Sequence, residues 1–334
     1  MQKFIRFPAR LVAGVLLTIA VLTGCASAPG PEAADKSGDA NTAKQEESGT
    51  FLTLTDDASR TVVLPSRPER IVVLSPQLLD LLYDIGGSAI ARTSSAGAAV
   101  PEKAKDITDV GGITSVNTEK LLSLKPDLVI GSPSFHRELA AVLDSSRIPF
   151  ALFNLSTYQD LKQKVPLFGK LSGKESEAAE RLTKLDGQIQ ALTGKVPDKR
   201  PTFIMLNVTP SSVSVQRANT IGLEVAGLLR MNNVAESLQA SQTSQTTAPY
   251  SLEKIVELDP DYVFILIHGA RGDGEKKIQS ELAAQPAWAS LRAVKENRMT
   301  ILPSDLLLSN PGFRLDESVL YLAKYVYPDQ FDAK

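Results

Sequence analysis

TEKLLSLKPDLVIGSPSFH, Thr118–His136, is the stretch whose reading decides the fold, because the chain holds a second version of it. That version is LEKIVELDPDYVFILIH, Leu252–His268. In each, apolar residues three and four apart predict a short helix. Lys125-Pro126-Asp127 and Asp259-Pro260-Asp261 end those helices, since proline cannot continue one. The apolar run that follows predicts a strand buried on both faces. A histidine closes each version, and the chain has 2 histidines in all. A repeated helix–turn–strand unit outweighs any single motif, because one such unit cannot bury its apolar face alone. The pattern predicts two similar α/β lobes facing each other, with a ligand held between them.

The flanking sequence extends this picture. Phe51–Thr55 and Thr61–Leu64 read as a hairpin around DDASR. Arg70–Ser75 reads as a buried strand, Pro76–Ile85 as a helix stopped by Gly86-Gly87, and Ile148–Phe153 as a further strand. Strand–helix alternation of this kind predicts a mostly parallel sheet with helices on its faces. Thr157–Lys195 is a helical pattern, with Ala178, Leu182, Leu185, Ile189 and Leu192 on one face. Pro166, Gly169 and Gly173 predict a kink or a break in its first half. The second lobe repeats the plan, with strands at Thr202–Asn207, Val213–Val215 and Met299–Pro303 and a terminal helix over Asp316–Val326. The expected fold is therefore α/β: two Rossmann-like lobes with mostly parallel central sheets, residues 51–156 and 196–334, joined by one long backbone helix over 157–195.

With 36 Lys and Arg against 38 Asp and Glu, the 334-residue chain lacks the basic surplus that nucleic acid demands. Its amino terminus, MQKFIRFPAR followed by LVAGVLLTIAVL, has the charge and apolar length of a signal peptide over residues 1–24. Leu22-Thr23-Gly24-Cys25 ends that run with the only cysteine of the chain. The four residues resemble the lipobox of bacterial lipoproteins, which implies cleavage before Cys25 and acylation of it. Residues 25–50 are rich in Ala, Ser, Gly and Pro and acidic, the composition of a disordered tether.

No catalytic constellation stands out: there is no Gly-x-Ser-x-Gly elbow, Cys/His pair or phosphate-binding glycine loop. The candidates for chemistry are ligand-binding groups. In parallel α/β lobes the ligand crevice lies at the carboxyl ends of the strands, where His136 and His268 both fall. Two neutral imidazoles could ligate a haem iron from both sides, or each could only hydrogen-bond a ligand. Arg217, Arg271 and Arg314 lie in second-lobe loops and could grip carboxylate, catecholate or hydroxamate oxygens. Tyr83 is a further candidate, on the helix after the first crevice strand. Glu119 and Glu253 occupy the same place in the two copies. A carboxylate there complements the helix dipole, and the two could also be symmetric contact points on the surface.

Taken together, RIVVLS, VGG…TEKLLSLKPDLVIG, SLEKIVELDPDYVFIL and PAWASLRAVKENRMTILP resemble the iron-complex substrate-binding lipoproteins of ABC importers, over about Phe51 to Pro328. Those proteins capture ferric siderophores, haem or cobalamin. The resemblance implies two lobes on a rigid helical backbone, no catalysis and no catalytic cofactor. It also implies a monomer, held on the outer face of the cytoplasmic membrane by its lipid, that delivers its ligand to a permease and its ATPase. Glu119 and Glu253 match the glutamates with which the family docks on permease arginines. His268 matches the axial histidine of haem-binding members, whereas Gly111–Thr118 lacks the methionine those members often carry. Ferric siderophore, haem and corrinoid stay open as ligands, and a metal-dependent extracytoplasmic enzyme is the rival of another class.

Overall fold

A computed structural model describes residues 49–94 and 100–331. The signal peptide, Cys25 and nearly all of the tether lie outside these residues. The chain enters through the hairpin β1 (Leu52–Thr55) and β2 (Thr61–Leu64), as its alternation predicts. The first lobe is built on β3 (Ile71–Val73), β4 (Ala91–Ser94), β5 (Thr108–Gly112), β6 (Ser115–Val116), β7 (Leu128–Gly131) and β8 (Phe150–Leu152). Their order is β6-β5-β4-β3-β7-β8, parallel throughout except at β6. The second lobe uses β9 (Thr202–Val208), β10 (Val213–Gln216), β11 (Asn232–Asn233), β12 (Thr247–Pro249), β13 (Tyr262–Ile267) and β14 (Met299–Ile301). Here β11, β9, β13 and β14 are parallel, while β10 and β12 add an antiparallel edge. The helices that matter below are α1 (Pro76–Asp84), α2 (Thr118–Ser123), α3 (Ala140–Ser145), α4 (Tyr158–Ser172), α5 (Glu175–Thr193), α6 (Ile221–Leu228) and α7 (Leu252–Leu258).

The repeat forms the same unit twice for the same physical reasons. Asn117 and Ser251 cap α2 and α7, their side chains accepting from the backbone N–H of Lys120 and Lys254. Lys125 and Asp259, each just before a proline, take the left-handed conformation that turns the chain back, with φ of 47° and 35°. The aspartate after each proline then ties the start of the neighbouring strand. Asp127 accepts from the N–H groups of Glu69 and Arg70 at 2.8 and 2.9 Å, just before β3. Asp261 accepts from the N–H and hydroxyl of Thr202, both at 2.8 Å, at the start of β9. The Pro-Asp step thus fixes which strand β7 and β13 pair with. β7 is buried throughout and β13 from Val263 onward, as their apolar sequence requires.

One expectation is corrected. Residues 157–195 form two helices and not one long one. Gly173, at φ 67°, closes α4 with the N–H of Lys174 on the carbonyl of Gly169 at 2.8 Å and its own N–H on Lys170. This is a Schellman stop, which glycine alone enters without strain. The chain reverses there, so that Tyr158 at the start of α4 donates its hydroxyl to Asp186 of α5. A Cβ on Gly169 would stand 2.8 Å from that of Ala178, so its hydrogen lets the two helices close up. Pro166 sits within α4 on its exposed side.

This helical hairpin carries the connection. One apolar core runs from Val73 and Leu81 of the first lobe through Leu161, Phe168 and Leu185 to Phe203, Val225 and Leu322 of the second. Separate clusters fill the outer faces of the two sheets, around Val129 and Leu143 in one and Ile265 and Trp288 in the other. Swinging the lobes apart would open the shared core to water, so the junction is stiff. Polar contacts pin it further. Asn310 donates to the carbonyl of Thr157 at 2.7 Å, and Gln188 to Asp316 at 2.9 Å. Glu224 of α6 accepts the N–H of Tyr158 at the amino end of α4.

Candidate functional site

Because the sheets are parallel, the carboxyl ends of β3, β4, β5, β7 and β8 share one edge, and those of β9, β13 and β14 another. Asn310, after β14, donates to the carbonyl of Thr157, after β8, so the segments leaving these two edges meet. The loops between them form the crevice where parallel α/β proteins bind ligands. A cavity of about 680 Å³ opens at one side of the junction, lined by Thr157, which caps α4, by Gln159 of α4 and by Arg217, Thr220 and Glu224 of the second lobe. A hollow of about 390 Å³ between α7 and residues 290–296 lies away from the strand ends.

His268 follows β13 directly and is half-buried. Its Nε2 donates to Oδ1 of Asn207 at 3.2 Å. That oxygen also accepts from Nε2 of Gln216 at 2.8 Å, and Gln216 in turn accepts from the Thr220 hydroxyl at 2.6 Å. Asn207 and Gln216 are 8 % and 2 % exposed, so this chain of bonds is fixed by packing. It assigns the proton of the neutral ring to Nε2 and leaves Nδ1 with a lone pair that no described residue engages. Burial holds the His268 pKa below its ordinary value of 6.5. The unfolded chain therefore binds the proton more tightly, and stability from this group is lost as pH falls below about 6.5. The same protonation would block the lone pair.

His136 is corrected as a metal ligand. It is 1 % exposed and spends both nitrogens on its own lobe. Nδ1 accepts from the N–H of Ser132 at 2.9 Å, and Nε2 lies 2.9 Å from the carbonyl of Ile113, to which it donates. No lone pair is left for iron. Burial lowers its pKa, against the opposing pull of the two backbone bonds. Its ring packs over Gly131, where a Cβ would stand 3.1 Å from that of His136.

The structure also reassigns the other candidates. Arg217 donates Nε, Nη1 and Nη2 to the carbonyls of Leu238, Gln245 and Glu236 at 3.0, 2.9 and 3.2 Å. It clamps the loop before β12 and has no fork to offer a ligand. Tyr83 is corrected as a ligand contact: its ring packs on the shared core, and its hydroxyl is bonded to the N–H and carbonyl of Ala89. Arg271 pairs with Glu275 through Nε at 2.7 Å. Arg314 bridges Asp305 and Glu317 at 3.1 and 3.2 Å.

Arg314 also acts on α1, where Asp80 is pushed up to about 6, first by burial and then by Asp84, with Arg314 pulling the other way. A raised carboxylate pKa contributes stability that is present below the unfolded value of 3.8 and lost as pH rises through about 6. Asp80→Asn is therefore expected to stabilise the protein at pH 8 by about 1–2 kcal/mol, the roughly two-unit shift discounted for solvent screening. The gain should vanish by about pH 4, which denaturant melts of both proteins at the two pH values will show.

Glu119 and Glu253 each occupy the second residue of their helix, α2 and α7. Both are exposed, and neither makes a hydrogen bond or ion pair with a described residue. No three His, Cys, Asp or Glu side chains gather at a common metal position among the described residues. Phe135 and Arg137 flank His136 in the loop after β7. Phe135 is 54 % exposed, the most of any large apolar side chain described. Its signal in the sequence is an aromatic residue in a loop directly after a buried strand.

Two mostly parallel-sheet lobes joined by a helical hairpin are the architecture of two-lobed solute-binding proteins. The chain belongs to the periplasmic binding protein family, whose model matches residues 71–306. It is 25 % identical over 328 residues to an ABC transporter substrate-binding lipoprotein of Bacillus subtilis, YvrC, covering 96 % of this chain and 97 % of that one. It is also 25 % identical over 310 residues to the Fe(3+)-citrate-binding protein YfmC of the same organism, covering 91 % and 92 %. Among solved structures, S. aureus IsdE complexed with heme shares the fold at a TM-score of 0.67 and 19 % identity, over 77 % of this chain and 98 % of that one. Substrate-binding proteins of this kind are not enzymes. No described helix is long and apolar enough to cross a membrane.

Proposed function

We propose that the protein is a lipid-anchored receptor on the outer face of the cytoplasmic membrane. It captures an iron complex, a ferric siderophore or haem, and delivers it to an ABC permease driven by its ATPase. Cys25 carries the anchor, and residues 25–50 tether the receptor to the surface. A single acyl chain binds a membrane only marginally, so the two or more chains of a lipoprotein cysteine are what keep it there. The receptor works as a monomer and does no covalent chemistry on its cargo.

The observation that carries this reading is His268. It stands at the end of the central strand β13 with Nε2 fixed on Asn207, so that Nδ1 offers a nitrogen lone pair to iron or a hydrogen-bond acceptor to the edge of a chelate. The Fe(3+)-citrate and heme named for the two relatives above are ligands of this chemical kind.

Absorption titration of the purified protein with haem, ferric citrate, a ferric trihydroxamate and cobalamin tests the reading. A saturable spectral change is expected with haem or a ferric chelate, at micromolar affinity or better. Saturation by cobalamin alone would redirect the receptor to corrinoids. A hydrolytic turnover without binding of any of the four would overturn it.

A further inference from the structure

The loop after β7 holds an exposed aromatic ring and an incompletely bonded guanidinium in fixed positions. We infer that Phe135 and Arg137 form the first lobe's ligand contact, a platform that takes the flat face and the anionic edge of a ferric chelate, with His136 as its positioning residue. This rests on the reading of the crevice as an iron-complex site and assigns the half of that site on which the first lobe acts.

Three observations carry it. The first is placement. β7 lies in the interior of the first sheet, between β3 and β8, so the loop leaving its carboxyl end sits within the crevice edge and not at its margin. The second is rigidity. The N–H groups of Phe135 and His136 both bond the carbonyl of Ser132, at 3.2 and 3.0 Å. The His136 ring then staples the loop to Ser132 on one side and to Ile113 of the β5–β6 turn on the other. Gly131 leaves room for that ring, and Phe135 meets it edge-on with centroids 6.2 Å apart. The third is what the loop leaves unsatisfied. Phe135 is 54 % exposed, on a loop whose backbone and His136 ring are tied inwards to Ser132 and Ile113. Arg137 gives Nε to the carbonyl of Pro133 at 3.1 Å, which orients the guanidinium, while Nη1 and Nη2 make no bond to any described residue. The two free amino groups are the end of the fork that meets a carboxylate or catecholate in two parallel bonds.

An aromatic face beside a guanidinium selects chemistry. It suits a conjugated or aryl-bearing chelate with carboxylate or catecholate oxygens at its rim, through stacking and charge-assisted hydrogen bonds. It offers nothing to a compact neutral chelate with an aliphatic surface. A fixed platform also loses little entropy when the ligand arrives, which is how preorganised sites gain affinity. The role of the buried histidine follows: it holds the platform by geometry, without touching the ligand.

The test uses the soluble protein from Ser48 onward, which is one compact unit, with haem, a ferric aryl-catecholate and a ferric trihydroxamate as probes. Phe135→Ala and Arg137→Gln are each expected to weaken the preferred probe at least tenfold with the melting temperature unchanged. The loss in Arg137→Gln should shrink as salt is raised, since screening already weakens the wild-type contact. Phe135→Trp supplies an independent reading. The sole tryptophan, Trp288, is 2 % exposed in the outer core of the second lobe, so new emission reports position 135. That emission should be quenched by the bound iron complex with the same midpoint as the absorption change. Wild-type affinity in Phe135→Ala and Arg137→Gln, or unquenched emission with ligand bound, would overturn the platform while leaving the receptor reading in place. A wild-type protein that binds none of the probes would overturn both.

Discussion

Replacing His268 with alanine is expected to weaken binding of the iron complex tenfold to a hundredfold while leaving the fold intact. The reason lies in the asymmetry of the two ring nitrogens. Nε2 is held by Asn207, so Nδ1 alone faces outward, and its lone pair is the only imidazole nitrogen in the described chain without a partner. A factor of ten to a hundred corresponds to about 1.4–2.7 kcal/mol, what one coordinate or charge-assisted bond contributes at a partly desolvated site. Stability should change little. His268 is only half-buried, and Asn207 keeps Gln216 as a donor at 2.8 Å when the imidazole is gone. If the cargo is haem, the variant should lose the Soret position of the wild type. For either cargo, wild-type affinity should hold from pH 8 to about 6.5 and decline below it, because burial keeps the ring neutral above its depressed pKa. That decline should be absent in His268→Ala. An unchanged Kd in the variant, measured by absorption or calorimetry, would remove His268 from the site.

The contrast with His136 shows what a sequence can and cannot carry. The repeat announced both lobes, and its Pro-Asp step proved to be the device that joins each central strand to its neighbour, through Asp127 in one lobe and Asp261 in the other. Those are local relations, set within a helix, a turn and a strand start, and periodicity reports them. The equivalence of the histidines was not local. His268 follows its strand immediately, whereas His136 is separated from Gly131 by a loop that folds back on itself. Whether an imidazole at a strand end faces a ligand or its own backbone depends on where Ile113 lies, and Ile113 is brought there by the β5–β6 turn. The engagement of Arg217 was hidden for the same cause. Arg217 meets three carbonyls of a loop about twenty to thirty residues further on, and no pattern in the sequence encodes that loop's path.

The connection between the lobes was half legible. Gly169 and Gly173 were visible as breaks in an otherwise regular helical pattern. What they do depends on handedness and on the partner. Gly173 takes a left-handed φ that stops α4, and Gly169 leaves room for Ala178 only because α5 returns along α4. A kinked single helix and a closed hairpin share one apolar periodicity, and the difference appears only when Tyr158 meets Asp186.

Changing both Glu119 and Glu253 to alanine is expected to reduce uptake of the iron complex by cells at least a hundredfold, with Kd for the complex within twofold of wild type. The two carboxylates have matching positions in matching units, each two residues past a capped helix start. Either alone is explained by the dipole of its short helix, at well under about 1 kcal/mol. That local account does not require both to stand exposed without an intramolecular partner, although Lys120 and Lys254 follow them directly in sequence. Two unpaired negative charges, one on each lobe, suit a permease that presents a positive group to each. Truncating one partner of a charge pair that is desolvated on docking costs about 2–5 kcal/mol, so losing two exceeds a hundredfold in the docking constant. Each single variant should fall between, and the order of the losses tells which lobe docks more firmly. Because encounter between opposite charges is screened by salt, the wild-type docking rate on reconstituted permease should drop with ionic strength, and that of the double variant should not. Glu119→Gln with Glu253→Gln removes charge while keeping shape, and should reproduce the alanine result. Uptake at the wild-type rate in the glutamine pair would show that the carboxylates serve only their own helices.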